Sequence, residues 1–178
     1  MEGSLLDRCL PCRRSPVFWV VLAAKLIVPA FVGSHYVRDL FLPFLSHFID
    51  SGFANPWDAF ASAGRLDAFP YSGPMLAILA APQALATLVL PGFVRDSEAF
   101  RLFLVRLPML AADLAVFAVL CRWFADRRDR VLWLYWCSPI LFYISYVHGQ
   151  IDVIPSAFLF LSLLALFSGR ELAAGVLL

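Results

Sequence analysis

The chain has 178 residues, of which 62% are hydrophobic and only 15% charged, and its mean hydropathy is +0.81. Its 14 basic and 13 acidic side chains leave a net charge of +1, which excludes both a nucleic-acid-binding footprint and an acidic disordered tail. A water-facing globule is excluded as well, and the expected partner is the lipid bilayer.

The fold class expected is all-α, a polytopic helical membrane protein forming a single module over residues 1–178. Seventeen Phe, five Trp and five Tyr suit interfacial belts. No alternating strand pattern of a membrane barrel occurs. The tail carries Arg8, Arg13 and Arg14 and a Cys9-x-x-Cys12 pair. That spacing is a zinc or redox half-site, but no second pair completes it, so the thiols read as reduced or lipidated and no metal or other cofactor is expected.

Residues 17–34 form the first apolar run. It holds Lys25 and Pro29 and lacks a small-residue cleavage site, which makes it an uncleaved anchor helix rather than a signal peptide. Residues 35–101 are expected to be one long external loop with surface or re-entrant helices. Within it, 72–90 is apolar but carries Pro74 and Pro82, so a straight spanning helix there would lose backbone hydrogen bonds in hydrocarbon. Residues 102–121, 131–147 and 151–168 each come near the roughly 20 residues that cross a bilayer core. The last run, 172–178, is far shorter than that, and the expectation is a truncated span in a fragment.

Arginines set the orientation. The tail has three and the loop 122–130 has four, Arg122, Arg127, Arg128 and Arg130, so both belong in the cytoplasm. Both can be inside only if one of the runs 72–90 and 102–121 fails to cross, and the proline-bearing run is the natural one. The turn at 148–152 then faces outside and Arg170 returns to the cytoplasm.

Several residues could carry chemistry. The segment 35–71 sets Asp39, Asp50, Asp58 and Asp67 against Arg38 and Arg65, an acidic external face. Asp39 follows the first span by a few residues and precedes an amphipathic stretch. A partly desolvated carboxylate at such an interface can act as a general base, while the competing reading is an ordinary interfacial Asp neutralised by Arg38. His148, Gln150 and Asp152 share a turn between apolar runs, which points to a protein-lined or wet cavity, or else to a polar hairpin in water. Lys25 and Asp113 lie inside spans, where mutual pairing lowers their cost; a proton relay or transport path is the other option. Arg101 and Arg106 at the outer end of the second span suit a lipid phosphate, or snorkel to headgroups.

The order of these features resembles the GT-C glycosyltransferases. It comprises an anchor helix, an external loop opening with Asp39, Asn55-Pro56-Trp57 before a short helix, Phe69-Pro70-Tyr71 before a proline-bearing run, Arg106-Leu107-Pro108 with Asp113, and Ser138-Pro139 leading to His148-Gly149-Gln150-Ile151-Asp152. The resemblance covers most of residues 17–178 and implies the amino-terminal part of a polyprenyl-phosphate-sugar-dependent, mannosyltransferase-like enzyme, completed by further carboxy-terminal spans and inactive as a fragment. It also implies that a hexose moves from the lipid-linked donor to an acceptor hydroxyl on the outer membrane face. Asp39 would take the acceptor proton, and His148, Gln150 and Asp152 would orient substrate hydroxyls. Arg101 or Arg106 would stabilise the departing phosphate. Some relatives carry a paired-acid metal motif where this chain has His148-Gly149-Gln150-Ile151-Asp152. The alternatives are a secondary transporter, which should show an internal repeat of broken helices, or a non-catalytic membrane subunit.

Overall fold

The computed structural model describes residues 11–178, and those residues are all-helical, with no strand among them. Arg8 and Cys9 lie outside the described residues. A 3₁₀ turn, Pro11–Arg14, leads into α1 (Pro16–Phe31). A π-helical turn, Tyr36–Phe41, runs directly into α2 (Leu42–Asp50), and α3 (Pro56–Ser62), α4 (Gly73–Val89) and α5 (Pro91–Asp96) follow. Next come α6 (Glu98–Trp123), α7 (Arg128–Val131), a π turn over Leu132–Trp136, α8 (Pro139–Phe142) and a second such turn, Tyr143–His148. The described chain closes with α9 (Val153–Phe167) and α10 (Glu171–Leu177).

Among the described residues only α6, at 26 residues, is long and apolar enough to cross a membrane as one helix. Two further crossings are available if bent pairs count as single spans: Pro16–Phe31 with Tyr36–Asp50, bent by 62°, and Ala125–Trp136 with Pro139–His148, bent by 46°. The first bend follows Pro29, which lacks the N–H that would bond the carbonyl four residues back, so α1 ends two residues later. The second corrects the continuous span expected over 131–147. Ser138 leaves the helix in an extended conformation, its hydroxyl accepts the Leu141 N–H at 3.3 Å, and Pro139 opens a new helix.

Residues 73–89 form one uninterrupted helix, because Pro74 sits in its first turn, where its missing N–H is not needed, and only Pro82 falls inside. After α9, Gly169, at a φ of 71°, turns the chain, and the Ser162 hydroxyl donates to the Ala174 carbonyl at 2.8 Å, so α10 returns along α9.

The chain divides into two compact units, one of residues Met1–Lys25, Met109–Ser145 and Gln150–Leu178, the other of Leu26–Pro108 and Tyr146–Gly149. In the first, Phe18, Phe117 and Trp136 form an aromatic core, with the Phe18 and Trp136 rings stacked at 5.0 Å and the Trp136 indole donating to the Phe18 carbonyl at 3.2 Å. In the second, Phe44 is wrapped by Trp57, Phe60 and Phe69. There the Asn55-Pro56-Trp57 motif has a local cause. Asn55 accepts the Trp57 N–H at 3.1 Å and donates to Asp58 at 2.7 Å, and Pro56 starts α3, so the tripeptide is a capping device.

Candidate functional site

In the second unit Asp39 stands in the first turn of the Tyr36–Phe41 π segment. Its carboxylate lies 2.6 Å from His35 Nδ1, one helical turn back, and both side chains are exposed, at 61% and 70%. The competing reading, neutralisation by Arg38, is not what the geometry holds. Arg38 turns away to the Phe31 carbonyl at 2.7 Å and to Glu98 at 3.5 Å. The Asp39 backbone is fixed instead by Arg65, whose guanidinium donates to its carbonyl at 2.5 Å. His35 was not singled out from the sequence, although its position four residues before Asp39 on a helical path was a readable signal.

The turn at 147–149 belongs to the same unit. Ser34 holds it twice, through its N–H to the Val147 carbonyl at 3.1 Å and its hydroxyl to the His148 carbonyl. The Tyr36 ring meets His148 edge-on at 5.6 Å. Gly149 has a φ of 87°, and a Cβ there would overlap the Val37 side chain and stand 3.1 Å from Arg106 Nη2. Glycine is therefore required both by its dihedral and by the guanidinium pressed against it.

Arg106 is 3% exposed, and its Nε and Nη2 have no hydrogen-bond partner. Snorkelling to the surface is thus not its role. Arg101 does not share its surroundings. Five residues on an α-helix amount to about 140° of rotation, and Arg101 instead donates to the Arg95 carbonyl at 3.3 Å on another face of α6.

The first unit holds Gln150 and Asp152. Both line a cavity of about 310 Å³ with Asp113, Tyr135, Ser145 and Ser156 among apolar walls. Asp152 occupies the N-cap position of α9 without capping it through its side chain, which leaves the carboxylate at the positive end of the helix dipole. Its carbonyl accepts the Ser156 hydroxyl at 2.7 Å. The polar turn therefore divides, His148 going with one unit and Gln150 and Asp152 with the other.

Lys25 and Asp113 pair at 2.7 Å with both side chains buried. The ammonium sits 3.6 Å over the Trp136 ring, and the Tyr135 hydroxyl hydrogen-bonds Asp113. Cys12 is also buried. Loss of solvent raises its thiol above the ordinary range, which disfavours the thiolate that a metal or redox half-site needs. Among the described residues no group of three or more His, Cys, Asp and Glu side chains is placed to hold a metal ion.

Comparison with known protein families, curated proteins and solved structures gave no match.

Proposed function

We propose that this chain belongs to a membrane glycosyltransferase of the GT-C kind, moving a hexose from a polyprenyl-phosphate donor to an acceptor hydroxyl outside the membrane. The observation that carries the reading is Arg106, a buried guanidinium with two nitrogens lacking partners beside a glycine that leaves it room. A buried cation without an acid is costly, and the phosphate of a lipid-linked donor would complete it. Asp39 is open to solvent and already holds a histidine, as a base that must meet an incoming hydroxyl should. In the transfer the acceptor oxygen bonds to the sugar anomeric carbon and the bond from that carbon to the phosphate oxygen breaks. The acceptor proton goes to Asp39, and the charge left on the polyprenyl phosphate is met by Arg106. Gln150 and Asp152 would hold sugar or acceptor hydroxyls in the cavity of their own unit.

The membrane arrangement follows the arginine count: amino terminus inside, the first span over 17–34 opening into the external segment that holds Asp39, α6 spanning, the second bent pair contributing a crossing, and α4 lying at the outer surface. Seventeen residues of α4 extend about 25 Å, short of a hydrocarbon core of about 30 Å. Single cysteines introduced as Arg65→Cys, Asp96→Cys, Asp126→Cys and Gln150→Cys should react with an impermeant maleimide from outside at 65, 96 and 150 only. Labelling at 126 but not at 96 would mean that α4 crosses.

The catalytic test uses membranes containing this chain joined to the carboxy-terminal spans that the resemblance implies, and a polyprenyl-phosphate mannose donor. Asp39→Asn should lower turnover about 10²-fold or more with donor retention unchanged, and Arg106→Met should abolish donor retention. Turnover near wild type in Asp39→Asn would overturn the assignment of the base.

A further inference from the structure

Arg101, set apart from Arg106, forms part of a small polar pocket in the second unit, where α2, α4 and α5 meet the first turn of α6. Its polar lining is Ser46, Asp50, Gln83, Thr87, Arg95 and Arg101, and its volume of about 40 Å³ has room for about three water-sized groups. Gln83 is 4% exposed; its amide nitrogen donates to Ser46 Oγ at 3.1 Å, and its Oε1 has no partner. The Nε of Arg101 is likewise buried and unpartnered. Ser46 accepts from Gln83 and keeps its own O–H to donate. The pocket thus offers open donors and an open acceptor side by side, with two guanidiniums against one carboxylate. A buried amide oxygen and a buried guanidinium N–H left unmatched are both unfavourable until a ligand completes them.

Exposed apolar side chains, Leu85, Leu88, Val89, Leu90 and Phe93, lie on the faces of α4 and α5, and between the two helices, that are turned away from the pocket lining. We propose that the pocket takes the phosphate oxygens of a bilayer glycerophospholipid of the anionic, hydroxyl-bearing kind, the rest of the headgroup lying at its mouth and the acyl chains in the hydrocarbon that covers those apolar side chains. The single negative charge of the phosphodiester matches the pocket's net charge of one positive unit. Phosphate oxygens accept from Arg95, Arg101 and Ser46, and headgroup hydroxyls donate to Gln83 Oε1 and Asp50. The proposal rests on α4 lying at the membrane surface but not on sugar transfer, so no sugar donor enters its test.

The test is native mass spectrometry of the whole 178-residue chain taken from mixed micelles of phosphatidylglycerol, phosphatidylethanolamine and phosphatidylcholine. Phosphatidylglycerol should be retained in preference, and the preference should fall about fivefold for each arginine removed in Arg95→Gln and Arg101→Gln. Gln83→Leu should lower it as well, while Arg127→Gln, an exposed arginine of the other unit, should leave it unchanged. Arg95 is itself exposed, so its single variant tests the idea even if Arg101→Gln fails to fold. A wild-type chain without lipid preference, or one whose preference survives Arg95→Gln and Gln83→Leu, would overturn the proposal. Displacement of the lipid by millimolar inorganic phosphate would also overturn it, by showing a free-anion site.

Discussion

Among the described residues each unit buries one cation on a helix, Lys25 in one and Arg106 in the other, and the two are treated in opposite ways. Lys25, 2% exposed, has a carboxylate at 2.7 Å, an aromatic face beneath it and a tyrosine hydroxyl holding its partner. Arg106 is as deeply buried, yet two of its nitrogens have no hydrogen-bond partner and a Cβ on Gly149 would stand 3.1 Å from its Nη2. The difference separates structure from function. A buried charge supplied with its own counter-charge fixes how helices pack, whereas one left without an acid is costly as it stands, which is why we propose that a donor phosphate completes Arg106.

The sharpest way to break this contrast is to remove one member of the satisfied pair. Asp113→Ala should lower stability by about 3–5 kcal/mol, because Lys25 would be left charged and unmatched, while the double change Lys25→Met with Asp113→Leu should restore most of the loss. Thermal unfolding in detergent measures both, and an unshifted midpoint in Asp113→Ala would erase the distinction. A somewhat smaller loss, about 1–3 kcal/mol, is expected for Gly149→Ala, since alanine must adopt a φ of 87° and meet both Val37 and Arg106. Adding Val37→Ala should relieve only the steric share, which the same melting experiment can separate.

Arg106→Met should behave unlike either. Removing a cation that has no acid partner should leave stability within about 1 kcal/mol of wild type or raise it, even as binding of a phosphate-bearing donor disappears. A large loss of stability would mean that Arg106 is structural after all. The smallest effect concerns Cys12, whose thiol burial pushes up. Alkylation requires the thiolate, so a raised pKa moves the midpoint of the reaction to higher pH. At pH 8 Cys12 should react more slowly in the native chain than after denaturation, with its midpoint above the usual value of about 8.5. Mass mapping of iodoacetamide adducts across a pH series would show equal rates if the burial were only apparent.

Much of the architecture was legible because its causes are local. Apolar runs of helical length act within a few residues, so most helices could be read along the chain, whereas the Ser138 cap that opens α8 inside the run 131–147 was not singled out. The pairing of Lys25 with Asp113 was legible for another reason: two isolated charges in apolar runs have few alternatives but each other. Proline position was harder. Pro74 and Pro82 look equivalent in sequence, yet one falls in a first turn and is harmless while the other is internal.

The sequence by itself determined the helical class, the apolar character and the asymmetric arginines, because composition and short-range spacing control these. Only tertiary structure decided which groups share surroundings. Asp39 took His35 rather than Arg38 because the π turn sets their relative direction. Arg101 and Arg106 parted because five residues rotate a helix past any common face. The polar turn divided after Gly149 because neighbours along the chain are held by contacts from distant segments, and packing over such distances leaves no mark in local sequence.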